Sequence, residues 1–269
     1  MQKKIRFEDM QPDELLEIQE RGLPVYLPVG SMEWHSYHLG MGVDGVHAYE
    51  VALRTAERLG GAVFPPLYIG TENPRTSESL KRLGFEGHEK ILGMDFPNNT
   101  LKSCYWPPEL FKQIVETQVW QLLDMGFRRI GILNGHGALI QRKILEDLCQ
   151  ACGQEGGLVV SVLVLFPECG VGLGHAGLAE TALMQALRPE MVSIEKLPPK
   201  PQPLHYREFG IADAGGHKRE HYVHYDPRDG TPELGEELLQ FETETCVKLF
   251  REKFRSVYKE LHADRETGC

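Results

Sequence analysis

Apolar residues recur along this chain with two alternating periods, one suited to strands and one to helices. Residues 24–29 (PVYLPV) read as a first strand, and 46–59 (VHAYEVALRTAERL) as an amphipathic helix that stops at Gly60-Gly61. A short strand is expected at 62–64. Pro107-Pro108 then opens a helix running to Met125, with Leu110, Ile114, Val115, Val119, Leu122 and Leu123 at helical spacing. A buried-type strand at 129–134 (RIGILN) leads through Gly135-His136-Gly137 into a helix at 139–152, and another strand follows at 159–166. A helix at 178–187, closed by Arg188-Pro189, and a long, polar, surface helix at 232–261 complete the pattern. Such alternation predicts βαβ units on a mostly parallel sheet, an α/β fold. The chain has no internal repeat, and its Pro-rich stretch at 197–204 (LPPKPQPL) reads as a crossing loop. One domain over 1–269 is therefore expected.

Periodicity disappears between 65 and 107, where Gly, Pro, Asn and Ser are interleaved with Tyr68, Phe85, Phe96, Tyr105 and Trp106. A connection of that length usually serves the function of the molecule.

Composition narrows the partners. Hydrophobic residues make up 41% and charged residues 25%, ordinary values for a folded domain, and 269 residues are enough to bury a large core. With 39 acidic against 29 basic residues the formal charge is −10, and no basic cluster offsets it, so nucleic acid is excluded as a partner. The longest apolar run, 158–166 (LVVSVLVLF), is too short to span a bilayer, and no apolar stretch follows the charged start, so no membrane partner and a cytoplasmic location are expected. Cysteines at 104, 149, 152, 169, 246 and 269 lack a disulfide framework. Cys149 and Cys152 lie within a helical pattern, which favours half-buried helix thiols over a redox pair.

Side chains with metal-binding chemistry fall where strands end and helices begin, the places where open α/β sheets collect ligands. Glu33 and His35 follow the first strand, and in extended backbone their i, i+2 spacing turns both to one side, with Trp34 pointing elsewhere. Asp44 precedes the next helix, where it is a helix cap or a ligand. His136 stands at a strand end between two glycines, as a structural turn or as a ligand approached closely by backbone. His175 and Glu180 flank the start of a further helix, where the glutamate also complements the helix dipole. Together these histidines and carboxylates form a mixed nitrogen and oxygen set suited to zinc, manganese or iron rather than calcium or magnesium. The carboxylates of Glu33, Asp44 and Glu180 set against two divalent ions leave a net positive charge, which favours a bound hydroxide.

In this order the segments PVGSMEWHSYHLGMGVD, GFRRIGILNGHG, GHAGLAET and DPRDGTPELGEELL resemble the creatininase (creatinine amidohydrolase) family, over roughly residues 24–239. The resemblance implies a single layered α/β/α domain, assembled as a hexamer in many members, with a dinuclear site at the strand ends. It implies Glu33, His35, Asp44, His136 and Glu180 as ligands of two divalent ions, with Asp44 bridging them, and His175 as the group that carries a proton to the leaving atom. The implied reaction opens a small cyclic amide by attack of metal-bound hydroxide on its carbonyl, with a formamide or peptide-like amide as the runner-up substrate. Residues 70–75 and 94–106 fall where family members build a substrate wall, and look similar to relatives that open cyclic polyol ketones, such as 3-dehydro-scyllo-inosose hydrolases. Trp34, Tyr37, His38, Glu72, Arg75, Asn98 and Trp106 are the substrate-facing candidates.

The chain departs from the family where it reads E-W-H-S-Y-H-L-G in place of E-Q-H-G-P-H-L-P, and where Ala138-Leu139 follows the NGHG segment. The glutamate that creatininase carries just after this histidine is absent. A non-catalytic binding member of the fold would have no use for a complete donor set. His47, His205, His217, His221 and His224 are read as surface or packing residues, and 206–225 as a segment able to lie over a neighbouring subunit's site.

Overall fold

In the computed structural model, described over residues 4–154, 157–171, 174–213 and 225–255, a four-stranded parallel sheet lies between two layers of helices. The strands are β1 (Val25–Val29), β2 (Ala62–Val63), β3 (Arg129–Asn134) and β4 (Leu158–Leu163), in spatial order β2-β1-β3-β4. A short antiparallel pair, β5 (Gly174–His175) with β6 (Ala212–Asp213), stands apart from the main sheet. The helices in chain order are α1 (Pro12–Glu20), α2 (Val43–Leu59), α3 (Ser77–Arg82), α4 (Pro108–Asp124), α5 (Leu139–Gln154), α6 (Leu178–Leu187), α7 (Tyr206–Phe209) and α8 (Pro232–Lys253).

Both faces of the sheet are covered, so its strands are continuously apolar rather than alternating. Val25, Leu27, Val29, Ile130 and Ile132 point into the layer of α1, α4 and α5, against Phe111, Val115, Leu122 and Leu145. Tyr26, Leu133 and Val162 point the opposite way, toward α2, α6 and α8, against Val51, Leu183, Leu239 and Phe250. A third cluster of Trp34, Leu80, Leu83, Phe85, Ile91, Met94 and Phe96 gives the irregular 65–107 segment its own small core.

Several boundaries differ from the sequence expectation. Helix α2 begins at Val43, three residues early, so Asp44 lies inside its first turn. Strand β2 stops at Val63, and β4 at Leu163, one and three residues short of the expected ends. Helix α1 had no counterpart in the pattern reading, because PDELLEIQE is short and carries only Leu15, Leu16 and Ile18 as large apolar residues. It is started by Pro12 and by a capping box between Gln11 and Glu14. Helix α8 is not merely a surface element: Leu238, Leu239, Cys246 and Phe250 are buried against α6 and α2. Residues 256–261 of its expected span lie outside the described residues, as do His217, His221, His224 and most of 206–225. Among the described residues no helix is long and apolar enough to cross a membrane.

Strands β1 and β3 pair in register to their last residues, Val29 against Asn134, and so end level. The next residue on each is a glycine, and both press on the backbone at the start of α2. A Cβ on Gly30 would lie 2.4 Å from the Gly45 nitrogen, and one on Gly135 would lie 2.1 Å from the Asp44 carbonyl oxygen. The glycine at 135 thus makes room for α2, which drives Asp44 down between the two strand ends.

Candidate metal centre

Asp44 occupies the middle of a buried cluster. Its Oδ2 lies 3.1 Å from Nδ1 of His136, and its Oδ1 lies 3.2 Å from Nε2 of His35. Glu33 Oε2 stands 3.2 Å from the same His136 nitrogen, and Glu180 Oε2 stands 3.6 Å from the same His35 nitrogen. The ligand atoms therefore fall into two triads, Glu33-Asp44-His136 and His35-Asp44-Glu180, each with its atoms within 4.8 Å of one another and joined by the two oxygens of one aspartate. A further grouping of Glu33, His35 and His175 shares one residue with each triad. All five residues of the two triads are buried.

Each side chain is placed by the end of an element. Glu33 and His35 follow β1, and the His35 Nδ1–H is committed to the Glu33 carbonyl at 3.0 Å, which leaves Nε2 as the nitrogen turned toward two carboxylates. His136 follows β3 and is held by Asn134, whose side chain donates to the His136 carbonyl at 2.9 Å and accepts from its amide at 3.0 Å. Gln141 donates to the same Asn134 oxygen at 2.8 Å and accepts from the Thr71 amide at 3.0 Å, tying α5 to the irregular segment. Asp44 does not cap α2; its Oδ2 instead accepts from the Ser31 hydroxyl at 2.6 Å. Glu180, in the first turn of α6, accepts from the Ala176 amide at 2.5 Å. Ser36 and Ala176, each next to a site histidine, hold φ of 61° and 51°, a left-handed conformation uncommon outside glycine and often concentrated at functional sites.

The electrostatics of the bare protein describe a site short of cations. Burial works against a charged His35, yet Glu180, Asp44 and Glu33 outweigh it and push the imidazole up to about 10. His136 is driven upward in the same way by Glu33 and Asp44. Burial raises Glu180 to about 7, with Asp44 and Glu33 adding to it against His35. Glu33 is lowered to about 2, because the imidazoles of His136 and His175 overcome its burial. Protons on two histidines thus stand in for positive charge that buried carboxylates require. The Nε2 of His35, the nitrogen that faces Asp44 and Glu180, is buried without a hydrogen-bond partner. An orphaned histidine nitrogen, mixed oxygen and nitrogen donors and excess negative charge fit a pair of divalent ions of the zinc, manganese or iron kind, which would displace those protons.

The other sequence candidates are placed as follows. His175 donates from Nε2 to the Trp34 carbonyl at 2.7 Å, and its Nδ1 faces Glu33 Oε2 at 3.8 Å. Burial, then the charge of His35, depresses it to about 4. Trp34 turns away from the ligands into the small core, edge-on to Tyr37 and Phe96. His38 is buried and bonds Thr181 at 2.9 Å, a link between the strand-end segment and α6. Glu72 is half-buried beside the cluster, and burial raises its carboxyl. Arg75 donates to the Gly93 carbonyl at 2.6 Å and lies over the Phe96 ring. Asn98 is exposed. Trp106 packs on the opposite side, with the core under α4 and α5.

Two site residues were missing from the sequence reading. The Ser31 hydroxyl bonds Asp44, and the Tyr105 hydroxyl donates to Oε1 of Glu33. Ser31 lies inside the strand-end motif and was visible there; Tyr105 was visible only as one aromatic among several in the 65–107 segment. Cys149 and Cys152 lie on α5 against the core, and burial lifts the Cys149 thiol to about 12, as suits inert helix thiols.

Fold and paired donor groups together are those of a metal-dependent hydrolase. The family model described as creatininase, creatinine amidohydrolase, matches residues 8–250. The chain belongs to that family. A creatinine amidohydrolase from Pseudomonas putida is 29% identical over 190 residues, which span 64% of this chain and 66% of the relative, just under two thirds of it. A solved structure described as creatininase Mn superposes with a TM-score of 0.65 at 21% identity, over 94% of this chain and 99% of that one. A mutant creatininase of Zn–Zn type gives 0.64 at 22% identity with the same coverage. At these identities the likeness to the solved structures establishes the fold.

Proposed function

We propose that this protein hydrolyses a small cyclic amide of the creatinine kind at a centre of two divalent ions. Glu33, Asp44 and His136 would hold one ion, and His35, Asp44 and Glu180 the other. The observation that carries this reading is Asp44, whose two oxygens face different histidines of separate triads at 3.1 and 3.2 Å. When bound, such a pair of ions lowers the pKa of a water and polarises the carbonyl it attacks.

The chain's own groups supply the rest. His175 is fixed as one tautomer, since its Nε2–H is committed to the Trp34 carbonyl at 2.7 Å. Its Nδ1 is then a lone pair aimed into the site, suited to accept the proton of the attacking water and return it to the leaving nitrogen. Glu72 and Arg75, half-buried on the wall, are the polar groups for the substrate's heteroatoms. The family resemblance also supports a homo-oligomer, a hexamer, which light scattering after size exclusion would test.

The substrate test is a screen of creatinine, other cyclic amides and lactams, formamides and keto-inositols against metal-loaded protein, scored for the mass gain of one water. The expected result is opening of a cyclic amide that stops when the ions are chelated. Opening of keto-inositols alone would move the chemistry to carbon–carbon cleavage, and turnover without ions would overturn the proposal.

A further inference from the structure

We infer that Tyr105 is a positioning residue for the metal centre: its hydroxyl occupies Oε1 of Glu33, so that this carboxylate meets an ion through Oε2 alone. The inference rests on the dinuclear reading above and adds to it a residue outside both triads.

A phenol has one proton and accepts through oxygen. The Met94 amide already donates to the Tyr105 oxygen at 3.0 Å, and the Glu33 carboxylate can only accept, so the hydroxyl proton is directed to Glu33. The remaining carboxylate oxygen, Oε2, is the one that faces His136 at 3.2 Å and His175 at 3.8 Å. Glu33 is therefore split between a neighbour that holds it and a cluster that uses it.

Tyr105 is itself held firmly. The Cys104 amide donates to the Met32 carbonyl and the Trp106 amide to the Gly70 carbonyl, each at 2.8 Å, so the backbone on both sides of the tyrosine is stitched to neighbouring segments, one of them just before Glu33. The Trp34 amide donates to the Ser103 hydroxyl at 3.0 Å, which adds a third tie beside Glu33. Space for the phenol depends on Gly93, where φ is 53° and a Cβ would lie 2.5 Å from the tyrosine oxygen and 2.7 Å from Cγ of Glu72. The irregular 65–107 segment thus acts on the centre through one oriented hydroxyl as well as forming its wall.

Removing only that hydroxyl, by Tyr105→Phe, leaves the ring in place and frees Glu33 to turn about its last bond. Loss of such an outer partner typically weakens metal affinity about 10–100-fold. The test is chelator competition of the purified ion-free full chain with zinc alone and with manganese alone, alongside visible spectra of the cobalt-loaded protein and melting of the ion-free form. The expected result is one ion bound about 10–100-fold more weakly, the second unchanged, altered cobalt bands, and a melt lowered only by the loss of one hydrogen bond. Two ions bound by the variant as tightly as by the wild type would refute the role of Tyr105. Equal weakening of both ions with a melt lowered beyond that would refute it too, as a structural effect. A wild-type chain that binds fewer than two ions would instead bring down the dinuclear reading itself.

Discussion

Replacing Glu242 by leucine is expected to cost about 3–5 kcal/mol of stability, the usual penalty when one partner of a buried ion pair is removed. Glu242 on α8 meets His47 on α2 at 2.6 Å, and both side chains are 2% exposed. Water cannot replace the lost carboxylate. Burial alone would disfavour a charged His47, but Glu242 first, and then Glu180 and Asp44, hold its pKa above the ordinary value. For a domain of roughly this size each kcal/mol moves the melting temperature by about 2–4 °C, so a shift of roughly 6–20 °C is expected. The double variant His47→Leu with Glu242→Leu should return close to wild type, because a packed apolar pair removes the desolvation penalty of both charges. Urea unfolding of the two single variants and the double variant, at fixed metal concentration, gives the coupling directly. The pH dependence has a definite sign. A histidine whose folded pKa is raised contributes most below its unfolded value of about 6.5, and the contribution falls as pH rises through the higher folded value. The wild type's advantage over the double variant, which carries neither group, should therefore shrink with rising pH above about 6.5. A single variant within about 1 kcal/mol of wild type, or a double variant worse than both singles, would refute the ion-pair reasoning.

His175→Ala should keep both ions by metal analysis and lower turnover by about 10²–10⁴-fold, the range for a lost proton-transfer group, with full activity showing that another group moves the proton. Gly135→Ala should destabilise the fold by about 1–3 kcal/mol or more, since the added Cβ would sit 2.1 Å from the Asp44 carbonyl oxygen; calorimetry of the variant measures it, and an unchanged melt would contradict the close approach.

Much of the fold was legible because its signals are local. The runs at β1 and β3 are short, apolar and bounded by glycine, and α4 announces itself by two prolines and a helical stripe. The site was legible to the extent that its residues sit at strand ends and helix starts. What the pattern could not supply was contact across long sequence separations. The Tyr105 bond to Glu33 spans 72 residues and the His47 bond to Glu242 spans 195, and no periodicity encodes either. Asp44 shows the same limit on a smaller scale: its spacing suits a helix cap, but two glycines far apart in sequence let α2 sink between the strand ends and turn the carboxylate inward. Trp106 reads as a site aromatic from its neighbourhood in sequence, yet the chain turns between Tyr105 and Trp106, so one faces Glu33 and the other the core under α4.

The sharing of Asp44 between two triads is tested most directly by counting ions in Asp44→Asn and Glu180→Gln beside the wild type, using dialysed protein and elemental analysis. The wild type should hold close to two divalent ions per chain, Glu180→Gln close to one, and Asp44→Asn fewer than Glu180→Gln, because both ions lose a ligand at once. Two ions retained by Asp44→Asn would contradict the shared aspartate and the centre built around it.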